Sequence, residues 1–123
     1  MWDKRAEYLS NHDGDTIKMI LDQGFGDTKL IDVRLLGVYA PELSQPGGLE
    51  CQEFVKSWFD RYYLPSTRWS YIVTTSRMKR TDREQMTLNR YVAVVTDLAS
   101  ASNLNAEISE FIYKNGYSGG LNG

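Results

Sequence analysis

The sequence predicts a mainly β domain with α elements, an OB-fold five-stranded Greek-key barrel with two helices. Three observations point there. Two neighbouring segments alternate apolar and polar residues and are joined by the turn cluster Gly24-Phe25-Gly26-Asp27. The segment after them, Cys51 to Tyr62, changes to a helical period. Two further segments rich in aromatic and β-branched residues follow, so a helix falls between the third and fourth strands, as that barrel requires.

Taken in order, Arg5 to Leu9 is the first strand. Thr16 to Leu21 is the second, with Ile17, Met19 and Leu21 on one face and Thr16 and Lys18 on the other. Lys29 to Gly37 is the third, with Ile31, Val33 and Leu35 opposite Asp32 and Arg34. Pro41 ends it, and Ser44-Gln45-Pro46-Gly47-Gly48 is a loop by composition. Cys51, Phe54, Val55, Trp58 and Tyr62 then form one face of a helix from about Leu49 to Tyr63, closed by Pro65. Arg68 to Thr75 is the fourth strand, Ser76 to Thr87 an exposed loop, and Asn89 to Asp97 the fifth strand. Leu104, Ile108, Phe111 and Ile112 mark a short helix, capped near Asn103 or Asn105 and stopped at Gly116. The spacing places Cys51, Trp58 and Trp69 in the core.

With 123 residues, 41% hydrophobic and 24% charged, the chain has the size and composition of one globular domain, residues 1–123, with 118–123 a loose tail. No apolar run approaches a membrane span. A net charge of −2 argues against coating nucleic acid by bulk charge and leaves room for a local basic site. Acids outnumber bases in residues 1–50 and the reverse holds afterwards, with Arg77, Lys79, Arg80 and Arg83 bunched in the predicted loop. The single Cys51 excludes an internal disulfide and a multi-cysteine metal site. No signal peptide is visible, so the expected location is the cytoplasm or a virion assembly.

Three clusters carry chemistry. His12-Asp13-Gly14-Asp15-Thr16 places two carboxylates around a glycine at the entry to a strand. Hard cations such as Ca²⁺ or Mg²⁺ favour that arrangement, and an ordinary Asp-Gly turn is the plainer reading. Arg34-Leu35-Leu36 leads to Ala40-Pro41-Glu42. There an Arg fork can grip phosphate oxygens, and a carboxylate can orient or deprotonate water. A surface ion pair is the alternative. Leu88-Asn89-Arg90 brings a second guanidinium to a strand start.

In order and spacing these clusters resemble the staphylococcal nuclease, or thermonuclease-like, family. That family reads Asp-Gly-Asp-Thr, then Arg-Leu-Leu, then a Pro-Glu turn, a helix, and Tyr-Gly-Arg before the last strand. Here the matching residues are Asp13-Gly14-Asp15-Thr16, Arg34-Leu35-Leu36, Ala40-Pro41-Glu42 and Asn89-Arg90, and the likeness covers roughly residues 5 to 118. The resemblance implies an OB barrel and a phosphodiesterase acting on DNA or RNA with Ca²⁺ or another divalent cation. It implies Asp15 and the Ala40 carbonyl as metal ligands, with Asp13 a further candidate. It also implies Glu42 acting on the attacking water, and Arg34 and Arg90 binding the scissile phosphate. Tyr39 stands where the family carries its second metal carboxylate, and its ring is a candidate to stack on a base. The alternative function is a weakened nuclease-like module that binds nucleic acid or serves a larger assembly such as a phage particle.

Overall fold

The computed structural model describes residues 2–75 and 90–117, with the side chains of Trp2 and Arg90 outside the described set. The predicted loop 76–87, its basic run from Arg77 to Arg83, Leu88-Asn89 and the tail 118–123 all lie outside the described residues.

The described residues form five strands and two helices: β1 (Trp2–Asn11), β2 (Thr16–Gly24), β3 (Asp27–Leu35), α1 (Gly48–Tyr62), β4 (Tyr71–Thr75), β5 (Arg90–Asp97) and α2 (Leu104–Lys114). The strands close into a barrel in the order β1-β2-β3-β5-β4, and β1 also pairs with β4. β3 and β5 run parallel, and the other neighbours run antiparallel. This is the mainly β barrel with two helices that the sequence predicts.

The period-two patterns set the interior. Ile17, Met19 and Leu21 from β2 and Ile31, Val33 and Leu35 from β3 are all buried. The intervening Lys18 and Arg34 are therefore turned outward and are exposed. α1 buries Cys51, Val55, Trp58 and Phe59, while Phe54 is half-buried and stacks on Phe111 of α2, ring centroids 4.6 Å apart. Phe59, outside the predicted stripe, stacks on Tyr8 of β1 at 4.1 Å and meets Tyr71 of β4 edge-on at 4.8 Å. The Trp58 indole N–H donates to Glu107 Oε2 of α2 at 3.0 Å, so its one polar atom is paired although the ring is buried.

α2 starts where the sequence predicts: the Asn103 side chain caps it by accepting the Ala106 N–H. Asn105, in the first turn, is buried. It accepts the Val95 N–H and donates to the carbonyls of Leu36 and Ala93, which ties α2 to the end of β3 and the middle of β5. Trp69 departs from its expected place. It is half-buried, with the Arg68 guanidinium 4.6 Å over its ring, because β4 begins only at Tyr71. Turn bonds consume the preceding stretch: Trp69 N–H donates to Thr67 Oγ1, and Leu64 N–H donates to Ser70 Oγ. Among the described residues no helix is long and apolar enough to cross a membrane.

Trp58→Ala removes the largest fully buried side chain among the described residues. It should cost ~3–5 kcal/mol in urea unfolding, and a change near zero would mean the α1 face is not part of the core.

Candidate functional site

The β1–β2 connection, residues 12–15, is fixed by its own side chains before any ligand is considered. Asp13 Oδ1 accepts the N–H groups of Asp15 at 3.1 Å and Thr16 at 3.0 Å, which is an Asx turn. The Asn11 amide donates to the carbonyls of Asp13 and Gln52, and the Gln52 amide donates to the His12 carbonyl at 3.1 Å. The loop is thereby stitched to the first turns of α1.

Gly14 shows why this must be tight. A Cβ on it would lie 2.7 Å from Ala40 Cβ and 2.8 Å from Cys51 Cβ. Only a residue without a side chain lets the turn sit against both the segment after β3 and α1. Gly48 does the same one step away, since a Cβ there would overlap the Glu42 carbonyl. The turn from Glu42 to Gly48 is closed by Glu42 N–H donating to Gln45 Oε1 at 2.8 Å and Gln45 N–H donating to the Glu42 carbonyl at 2.9 Å.

Asp15 is the hinge of the site. It is 7% exposed. Its Oδ2 accepts the Ala40 N–H at 3.1 Å, and its Oδ1 accepts the Thr16 hydroxyl at 3.2 Å. Burial pushes its carboxyl up to about 6, and the neighbouring Asp13 adds to the rise by hydrogen bonding and by charge. The Ala40 N–H and the Arg34 charge pull it part of the way back. Arg34 is brought alongside by register, because the β2–β3 ladder pairs it with Thr16.

Asp13, Asp15, Thr16, Arg34, Tyr39, Ala40 and Glu42 line one cleft of about 280 Å³. Six of the seven residues the sequence singles out thus meet in one place. Arg34 and the Glu42 carboxylate make no hydrogen bond or ion pair with another described residue, and both are exposed. Tyr39 stands in the wall, about half exposed. The seventh, Arg90, is placed by its backbone alone: it pairs with Asp32 on β3, two residues before Arg34, and its side chain lies outside the described residues.

The structure adds three residues that sequence reasoning missed. Thr16 was visible in the Asp-Gly-Asp-Thr run but read only as a strand start. Asn11 and Gln52 act across 41 residues, a pairing that no local pattern signals. Cys51, expected as a buried thiol, is one: it is fully buried behind Gly14, and burial first, then Glu50, Asp15 and Asp13, pushes it up to about 11, which leaves it inert. Among the described residues no group of three or more His, Cys, Asp or Glu side chains is gathered to hold a metal. No family model matches the chain, and no curated protein does.

The raised Asp15 carboxyl has a signed consequence for stability. The native chain holds this proton up to about pH 6, whereas the unfolded chain releases it near 3.8. The native state therefore binds more protons between those values, and its stability falls as pH rises through that window. Asp15→Asn should flatten this slope and raise stability by ~1–3 kcal/mol above it, read by urea unfolding across pH. An equal or greater loss of stability in the variant at neutral pH would show that Asp15 is not a strained carboxylate.

Proposed function

We propose that the chain is a nuclease that hydrolyses phosphodiester bonds of DNA or RNA with the help of a divalent cation, Ca²⁺ in the first instance. The observation that carries the reading is the meeting in one cleft of Arg34 and Glu42, neither paired with another described residue, with the buried Asp15 carboxyl and the half-buried Asp13 carboxyl beside it. The resemblance of the three sequence clusters to the thermonuclease-like family supports it.

The donor set suits a hard cation: Asp13 and Asp15 supply carboxylate oxygens, and burial first, then the neighbouring Asp13, makes the Asp15 charge costly without a cation. Asp15, Asp13 and the Ala40 carbonyl would hold the ion. Its contribution when bound is to neutralise charge on the phosphate oxygens as the transition state forms. The protein's own groups do the rest. Arg34 binds the non-bridging phosphate oxygens in two-point geometry. Glu42 takes a proton from a water whose oxygen attacks phosphorus, the P–O bond to the leaving oxygen breaks, and solvent protonates that oxygen. Arg90 is proposed as a second guanidinium on the phosphate.

A second reading, a nucleic-acid-binding or assembly module of reduced activity, is favoured by one observation. Tyr39 offers a neutral phenol where a second metal carboxylate would strengthen the site, and the carboxylates present already accept backbone N–H groups.

With single-stranded DNA or RNA and Ca²⁺, the wild-type chain should cleave and chelator should stop it. Arg34→Ala should lower the rate ~10²–10³-fold without unfolding the protein. Cleavage by Arg34→Ala at the wild-type rate would remove its role, and no cleavage by wild type with any divalent cation would leave the binding-module reading. Tyr39→Asp adds a charged ligand and should tighten Ca²⁺ binding. An unchanged Ca²⁺ titration would show that position 39 does not face the ion.

A further inference from the structure

A second cleft lies beside the first. Ser10, Asn11, His12, Thr16, Lys18 and Asp32 line about 240 Å³, and Thr16 belongs to both clefts. The two clefts thus share one wall residue, at the start of β2.

The ladders fix what faces this trough. Thr16 pairs with Arg34, and the next outward pair along β2 and β3 is Lys18 with Asp32. Lys18 is therefore the diagonal neighbour of Arg34 on the same face, and such neighbours lie ~7–8 Å apart. That is of the order of the step between successive phosphates in an extended strand. The Arg90 backbone continues the Lys18–Asp32 line onto β5. Lys18 is exposed and makes no hydrogen bond or ion pair with another described residue, Asp32 included. An ammonium with no hydrogen bond or ion pair to a described residue, in a polar trough that shares Thr16 with the first cleft, suits a second phosphate.

We propose that this trough is an extension of the substrate groove, in which Lys18 binds the phosphate next to the one held by Arg34. This rests on the proposed nuclease reading and deepens it: the ligand is a single nucleic-acid strand of several nucleotides, bound by its backbone, and not an isolated phosphodiester. A single strand fits better than a duplex because half-exposed Tyr39 beside the first phosphate offers a face for an unpaired base. Asp32 opposes the polyanion in this trough, so it sets the affinity below what Lys18 alone would give.

The test is fluorescence anisotropy with 5′-labelled oligothymidylates of two and six nucleotides, in Ca²⁺, on the full chain carrying Glu42→Gln to suppress turnover. The wild-type sequence and Arg34→Met are run alongside. With Glu42→Gln alone, affinity should rise from dimer to hexamer. Adding Lys18→Met should weaken the hexamer several-fold, shrink that gain with length and lower the slope of log K against log salt by ~0.7. Adding Asp32→Asn should tighten the hexamer, an opposite sign that loss of folding cannot produce. Hexamer binding that weakens with Arg34→Met but ignores both Lys18→Met and Asp32→Asn would overturn the extended groove and leave the nuclease reading standing. No hexamer binding or cleavage by the wild-type sequence would overturn both.

Discussion

The close approach of three chain segments at Gly14 is the constraint on which the rest of the site depends. The turn after β1, the segment after β3 and the first turns of α1 come together there with no space for a methyl group. That contact brings the Ala40 N–H onto Asp15 and so sets the distance between the carboxylate pair and the Ala40-Pro41-Glu42 turn. The β2–β3 register then adds Arg34 opposite Thr16 without any loop taking part. Asn11 and Gln52 hold the same junction from the other side. The cleft is thus assembled from strand register, the β1–β2 connection that carries Asp13 and Asp15, and the segment after β3 that supplies Tyr39, Ala40 and Glu42.

The cost of this arrangement is electrostatic. Burying Asp15 beside Asp13 raises its carboxyl toward neutrality, and a single Arg34 charge only partly offsets that. A folded protein gains nothing in stability from such a pair, since an acid whose native pKa is raised destabilises the fold wherever it is ionised. Perturbed carboxyls of this kind gather at functional sites more than elsewhere. Asp15 with its raised carboxyl, and Arg34 and Glu42 without a partner among the described residues, line the same cleft.

Much of this was legible in the sequence because it is local. The alternation of Ile17, Met19 and Leu21 and of Ile31, Val33 and Leu35 fixed which side chains enter the barrel, and with it the outward placement of Lys18 and Arg34. The change of period at Cys51 marked α1, and Asn103 marked the start of α2. What was not legible is long-range. β1 runs from Trp2 to Asn11, beyond the expected Arg5 to Leu9, because pairing with β2 on one side and β4 on the other extends it through polar residues that show no pattern of their own. β4 is shorter than expected because Ser70 and Thr67 spend their hydroxyls on the preceding turn. Asn105 joins β3, β5 and α2 through three hydrogen bonds that depend wholly on the closed barrel. At the site, the residue types were readable and their supports were not.

In the proposed reading, Asp13, Asp15 and Arg34 form one site for a cation and a phosphate together. Calorimetric titration of Ca²⁺ into the wild-type chain, with and without a saturating dinucleotide whose bridging oxygen is replaced to resist cleavage, tests it most directly. Shared phosphate oxygens should make the two ligands bind cooperatively, with Ca²⁺ affinity rising ~5–150-fold when the dinucleotide is present. Equal Ca²⁺ affinity in the two titrations, or no Ca²⁺ binding in either, would rule out a shared site.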